Sequence, residues 1–280
     1  MTPDSKTVYA FHTETISVEV SDGHWQLDMV ADWNIGNNPN GGYILACLLR
    51  AMATLTPDTP DPISVTTHYL RPGLPGKVAD LRVSIVRLGR RTATVTGTME
   101  QDGKPRITCT ATFGNLSDQT NKPGNIETDG SDRNLSPTAP VLPAPEACTT
   151  RSELAQAVEL PIMNRLDIRV DPKYATSGPD KDAVMAGWIR FKDQRPVDSL
   201  ALMLFCDAFP PSMFTRYGAI GWVPTIELSV HVRRHPQAVW IKGVFRTNDL
   251  TGDLFIEDGM LWDQNDQLLA CSRQLQMILN

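Results

Sequence analysis

The stretches Ser64-Val65-Thr66-Thr67-His68-Tyr69-Leu70-Arg71-Pro72 and Glu227-Leu228-Ser229-Val230-His231-Val232-Arg233-Arg234-His235-Pro236 read as one strand written twice. Their histidines lie 163 positions apart (231 − 68). Further on, Arg106-Ile107-Thr108-Cys109-Thr110 answers to Leu268-Leu269-Ala270-Cys271-Ser272, with the cysteines 162 apart (271 − 109). A nearly constant offset, with the elements recurring in the same order, implies a duplicated unit of roughly 120 residues, an ordinary domain size. Duplication creates an internal interface, and asymmetry across it points to the copy that carries chemistry.

At 280 residues the chain can bury a substantial core. Its 41% hydrophobic and 21% charged residues are globular composition. A net charge of −6 argues against a broad nucleic-acid surface, which needs a basic face. The five cysteines, at 47, 109, 148, 206 and 271, show no CxxC spacing, and four of them sit in apolar or strand-like runs as buried free thiols do. Met1 to Phe11 lacks an apolar signal region, and no apolar run approaches a membrane span. A soluble, cytoplasmic protein is expected.

Outward from the repeated strand, the first copy opens with strand candidates at Thr15 to Val20 and His24 to Trp33. Asn40 is a plausible cap for an apolar helix over Tyr43 to Leu55, which Thr56-Pro57 stops. A helix apolar almost all round is expected to be buried. Strands are predicted at Val65 to Leu70, Val78 to Leu88, Thr92 to Glu100 and Pro105 to Phe113. Gly114 to Thr150, rich in Pro, Gly, Asn, Asp, Ser and Thr, reads as a linker without regular structure. The second copy runs through Leu166 to Val170, Val184 to Phe191, a helix over Leu200 to Phe209 closed by Pro210-Pro211, and four further strands. The expected boundaries are 1–118 for the first unit, 119–160 for the linker and 161–280 for the second.

Asp207 is the only carboxylate in the second apolar helix. Burying a charge costs several kcal/mol unless it is paired, which suggests a role, although a carboxylate at a frayed helix end could simply reach water. Thr225 opens a strand after Val223-Pro224, and Gln274 lies in Cys271-Ser272-Arg273-Gln274-Leu275; singly, each reads as structural. Gly41-Gly42 at a helix N-terminus exposes N–H groups suited to an oxyanion, or else permits close packing with no ligand. HExxH, Walker and GxSxG motifs are absent, and His231/His235 has no strand geometry for a metal, so no metal and no cofactor are expected.

With these residues in view, the chain resembles the double-hotdog acyl-CoA thioesterases, specifically acyl-CoA thioesterase II and its thioesterase-like relatives. The resemblance rests on Phe205-Cys206-Asp207, Pro224-Thr225-Ile226-Glu227, Leu269-Ala270-Cys271-Ser272-Arg273-Gln274 and Asn40-Gly41-Gly42-Tyr43. Where that family follows its threonine with an Asp-His pair, this chain has Glu227-Leu228. The resemblance implies an α+β double hotdog, two tandem units each wrapping an antiparallel sheet around a long apolar helix and pairing edge to edge. It implies an acyl-CoA substrate hydrolysed by a water held between Asp207, Thr225 and Gln274, with Gly41, Gly42 and Tyr43 at the oxyanion. The paired sheets should also leave surface for self-association, so a homo-oligomer is expected. Arg90-Arg91 or Arg233-Arg234 could meet the nucleotide end of CoA. Two alternatives stay open: a non-catalytic acyl-CoA or acyl-carrier binding protein of the same fold, and a hotdog hydratase or dehydratase using His68 or His231, although their shared place in both repeats suggests strand packing.

Overall fold

Period-two alternation sets most of the strands, and the computed structural model describes residues 8–117, 135–155 and 158–279. The first half gives β1 (Val18–Ser21), β2 (His24–Asp28), a small hairpin of β3 (Asn34–Ile35) and β4 (Asn38–Pro39), then β5 (Asp61–Tyr69), β6 (Val78–Leu88), β7 (Ala93–Gln101) and β8 (Lys104–Gly114). The second half gives β9 (Thr149–Thr150), β10 (Leu166–Val170), β11 (Val184–Phe191), β12 (Thr225–Val232), β13 (Ile241–Thr251), β14 (Leu254–Trp262) and β15 (Leu268–Met277). In β7 every second residue from Ala93 to Gln101 is buried, the signature of a strand with one face on a core.

All strands but β3 and β4 form one antiparallel sheet in the order β1-β2-β6-β7-β8-β5-β12-β15-β14-β13-β11-β10-β9. Apart from the terminal β9, the order is a palindrome of counterparts about the point where β5 pairs with β12. There Thr66 stands opposite Ser229 and His68 opposite Glu227. Thr66 and Ser229 are themselves 163 positions apart, so each pairs with its own counterpart, and their hydroxyls lie 3.2 Å apart on the pseudo-twofold axis. The cysteine match needs correction. Thr67 pairs with Cys109 and Val230 with Ser272, so the counterpart of Cys109 is Ser272, not Cys271. A slip of one residue moves a side chain to the other face, and Cys109 is accordingly buried while Cys271 is half-buried.

Two helices lie against the inner face. The first, Gly41–Thr54, starts where Asn40 Oδ1 accepts the Tyr43 N–H at 3.0 Å. Ten of its fourteen residues are buried. The second, Ser199–Cys206, is capped by Asp198, whose Oδ1 accepts the Ala201 N–H at 2.8 Å. It has eight residues, so a long apolar helix is not found in the second half. It ends three residues before the predicted Phe209: Pro210 and Pro211 offer no N–H to the Cys206 and Asp207 carbonyls, and Asn40 Nδ2 takes the Asp207 carbonyl instead. The helices cross backbone to backbone at Gly42, where a Cβ would lie 2.6 Å from the Met203 carbonyl oxygen and 2.7 Å from Leu204 Cα.

Of the segment expected to link the halves, residues 118–134 and 156–157 lie outside the described residues. Its described part is tied to the second half: the indole N–H of Trp188 donates to the Pro143 carbonyl at 2.8 Å, and β9 pairs with β10 at the sheet's end. The reading of Gly114 to Thr150 as wholly irregular is therefore corrected at Gly114, which ends β8, and at Thr149–Thr150. No helix among the described residues is long and apolar enough to cross a membrane.

Candidate active site

Between the N-terminus of the first helix and the C-terminus of the second lies a cavity of about 370 Å³. Asp207, Thr225, Gln274 and Gly41 all line it, from four separate elements. Asp207 is not inside its helix but follows it as the C-cap. Its Oδ2 accepts from Asn40 Nδ2 at 2.9 Å and from the Gly42 N–H at 2.9 Å. The carboxylate of the second copy is thus seated on the helix start of the first, where the helix dipole favours negative charge. Burial nevertheless dominates and pushes its pKa up to about 6, with the Gly42 N–H, Asn40, the Gly41 N–H and the Arg151 charge holding it from rising further.

A bulge in β12 between Thr225 and Glu227 turns Thr225 inward, out of the alternation that Leu228 and Val230 follow. Its hydroxyl donates to Gln274 Oε1 at 2.9 Å. Gln274 stands opposite Glu257 of β14 and donates Nε2–H to Glu257 Oε1 at 3.1 Å. Glu257 in turn accepts the Ser212 N–H at 2.6 Å, and Ser212 Oγ meets Thr247 Oγ1 at 2.8 Å. Glu257 is fully enclosed: burial, with the Asp207 charge adding, drives its pKa up to about 7 against the bonds from Ser212 and Gln274.

Gly42 and Tyr43, expected at the oxyanion, sit differently. The Gly42 N–H is given to Asp207, and the Tyr43 N–H to Asn40. The Tyr43 ring stacks on Trp33 at 5.2 Å within the core, and its hydroxyl donates to the Glu14 carbonyl at 2.8 Å. Both readings of the Gly-Gly pair are realised in part, since the N–H serves an anion belonging to the protein and the missing side chains permit the crossing. The arginines at the cavity are Arg71 and Arg151, not the pairs Arg90-Arg91 and Arg233-Arg234. His68 and His231 are exposed on the sheet and absent from the cavity lining, so neither packs the core nor faces the candidate acid. Among the described residues no cluster of His, Cys, Asp and Glu could hold a metal.

Several polar residues of the cavity escaped the sequence reading: Tyr69, Arg151, Glu257 and Gln276. Arg151 is buried, donates to the Ala208 carbonyl, and has its pKa lowered to about 10 by burial, opposed by Asp207. One signal was available for Glu257. It shares inward parity with Phe255, Gly259 and Leu261, so alternation alone marks a carboxylate on the core face.

The two halves diverge at this point. The strand registers make Ala111 the counterpart of Gln274, Phe113 that of Gln276 and Val95 that of Glu257. Val95, Ala111 and Phe113 are all fully buried core residues. The polar floor therefore exists in the second half alone.

Residues 29–114 match the model of the acyl-CoA thioesterase N-terminal domain, and residues 143–278 that of the acyl-CoA thioesterase C-terminal domain. An uncharacterized protein of Mycobacterium tuberculosis is 26% identical over 272 residues, covering 88% of each chain. Among solved structures, a hot dog fold protein of unknown function from Alicyclobacillus acidocaldarius superposes with a TM-score of 0.80 at 24% identity, covering 98% of this chain and 99% of that one. Acyl-CoA thioesterase II TesB2 from Mycobacterium marinum gives 0.75 at 16% identity, covering 96% and 98%. At these identities the structures speak for the hotdog fold; the two domain models, spanning most of both halves, show that the chain belongs to the acyl-CoA thioesterase family.

Proposed function

We propose that the chain hydrolyses an acyl-CoA to the free acid and CoA, through a water held by Asp207, Thr225 and Gln274. The observation that carries this reading is Asp207 itself, a half-buried carboxylate anchored by one oxygen, which lines one cavity with the hydrogen-bonded Thr225–Gln274 pair. The order of hydrogens supports it. Glu257 draws the Gln274 N–H, so the amide presents its oxygen to Thr225; Thr225 gives that oxygen its hydrogen, accepts from Gln276 Nε2 at 3.5 Å, and keeps one lone pair. Asp207 then accepts one hydrogen of a water and the Thr225–Gln274 pair accepts the other, which turns both hydrogens toward the protein and a lone pair toward the thioester carbonyl. Asp207 removes a proton as the water oxygen bonds to the carbonyl carbon, the C–S bond breaks, and the thiolate of CoA takes the proton. A thioester is activated enough that positioning and charge stabilisation suffice without a covalent intermediate. The apolar wall, with Ile44, Phe209 and Phe245, suits the acyl chain.

Hydrolysis of butyryl-, octanoyl- and palmitoyl-CoA, followed by thiol release, tests the reading. Turnover on at least one of them is expected. Binding of all three without turnover would make the protein an acyl-CoA carrier, and hydration of an enoyl-CoA in place of hydrolysis would make it a hydratase. The same reading includes a homo-oligomer joined along exposed edges such as β1, where Val18 and Val20 face solvent. Light scattering at the mass of one 30.9 kDa chain would remove that part.

A further inference from the structure

We propose that Tyr69 is a catalytic residue, the hydrogen-bond donor that holds the thioester carbonyl and its oxyanion; this rests on the hydrolase reading above. Tyr69 ends β5 with the inward parity of Val65 and Thr67, and its ring lines the cavity. Its hydroxyl is buried and has no hydrogen-bond partner among the described residues. Buried polar groups are ordinarily paired, so a hydroxyl kept unpaired at a cavity wall is kept for a ligand. Its place is beside the acid. A Cβ on Gly41 would lie 2.9 Å from both Tyr69 Cε1 and Asp207 Oδ2, so ring and carboxylate flank the same glycine.

Other donors of this wall are committed to protein acceptors. Gly42 N–H and Asn40 Nδ2 serve Asp207, Gln274 Nε2 serves Glu257, Gln276 Nε2 reaches Thr225, and Arg151 gives its Nη1 to the Ala208 carbonyl. The phenol is also kept in its donating form, because burial and the charges of Asp207 and Glu227 raise its pKa well above the ordinary value. A bound thioester brings a carbonyl oxygen, an acceptor without a hydrogen. As water adds to the carbonyl carbon, charge collects on that oxygen and the bond from Tyr69 strengthens, while Tyr69 keeps its proton throughout.

The test is Tyr69→Phe in the full chain, assayed on whichever of the three acyl-CoAs the parent turns over fastest, with a thermal unfolding curve beside it. Loss of one oxyanion donor lowers kcat by about 10²–10³-fold, and KM is expected to stay within about twofold, since the bond matters most in the transition state. The unfolding midpoint is expected to hold or rise, because the variant removes a buried hydroxyl without a protein partner. A variant with kcat within about threefold of the parent would overturn the assignment. So would a fall in kcat that came only with a lowered midpoint, which marks lost packing. A parent inert on all three thioesters fails the hydrolase reading itself, a result distinct from either.

Discussion

Glu257 decides which end of the Gln274 amide meets Thr225, and it does so at a cost that depends on pH. Its pKa stands at about 7, above the ordinary 4.5, so the folded state holds that proton more tightly than the unfolded chain. The resulting stability is complete below the ordinary value and is lost as pH rises through about 7. Glu257→Gln keeps the volume and cannot titrate. Urea unfolding should therefore show parent and variant close at about pH 5, with the variant gaining on the order of 2 kcal/mol relative to the parent by about pH 8. Parallel stability profiles would show that Glu257 is not held protonated. Asp207 carries the same sign: its pKa of about 6 lies above the ordinary 3.8, so the ionised form that removes a proton is also the form that destabilises the fold. Activity rising through about pH 6 as stability falls is the trade expected of a group kept for chemistry.

At the scale of elements, the helix crossing is the most demanding feature. Gly42→Ala would set a Cβ against the Met203 carbonyl oxygen and Leu204 Cα, both backbone atoms that cannot swing away. Overpacking of this kind costs about 1–3 kcal/mol, and it also shifts the Asp207 seat, so a lowered urea midpoint together with reduced hydrolysis is expected. An unchanged midpoint would mean that the helices separate freely. Element reading from sequence went far here: β6 runs over Val78–Leu88 and β11 over Val184–Phe191, the ranges read from the sequence. It stopped where local signals end. The second helix closes at Cys206, where Pro210 and Pro211 withhold the next N–H groups, but no local signal tells that the Asp207 carbonyl then goes to Asn40, 167 positions away. The bulge that aims Thr225 inward is equally silent, since it inserts no glycine and leaves the local pattern strand-like. Cys109 and Cys271 misled for the opposite reason, as a chance identity one residue out of register outweighed the parity of the strand.

The whole molecule is a doubled sheet whose join is its axis, with Thr66 and Ser229 meeting as counterparts. That much was legible, because duplication leaves a constant offset in the chain. The convergence of the site was legible only in part. Asp207 stood out as a carboxylate in an apolar run, whereas Thr225 and Gln274 gained meaning from the family resemblance, and Tyr69 and Arg151 join the cavity through contacts between distant segments. The symmetry is broken in one place. Val95, Ala111 and Phe113 fill the first half's equivalent of the polar floor with core, which leaves one such site among the described residues, built from the second half's floor and the first half's helix start. Hydrolysis should therefore depend on Asp207, since Glu257, the other carboxylate of the cavity, is engaged by Ser212 and Gln274. The direct measurement is steady-state hydrolysis of the best acyl-CoA by Asp207→Asn, which keeps the shape and removes the base. General-base assistance is worth about 10²–10⁴-fold, so kcat should fall by that factor while KM moves little; a variant that retains near-full kcat would contradict the account.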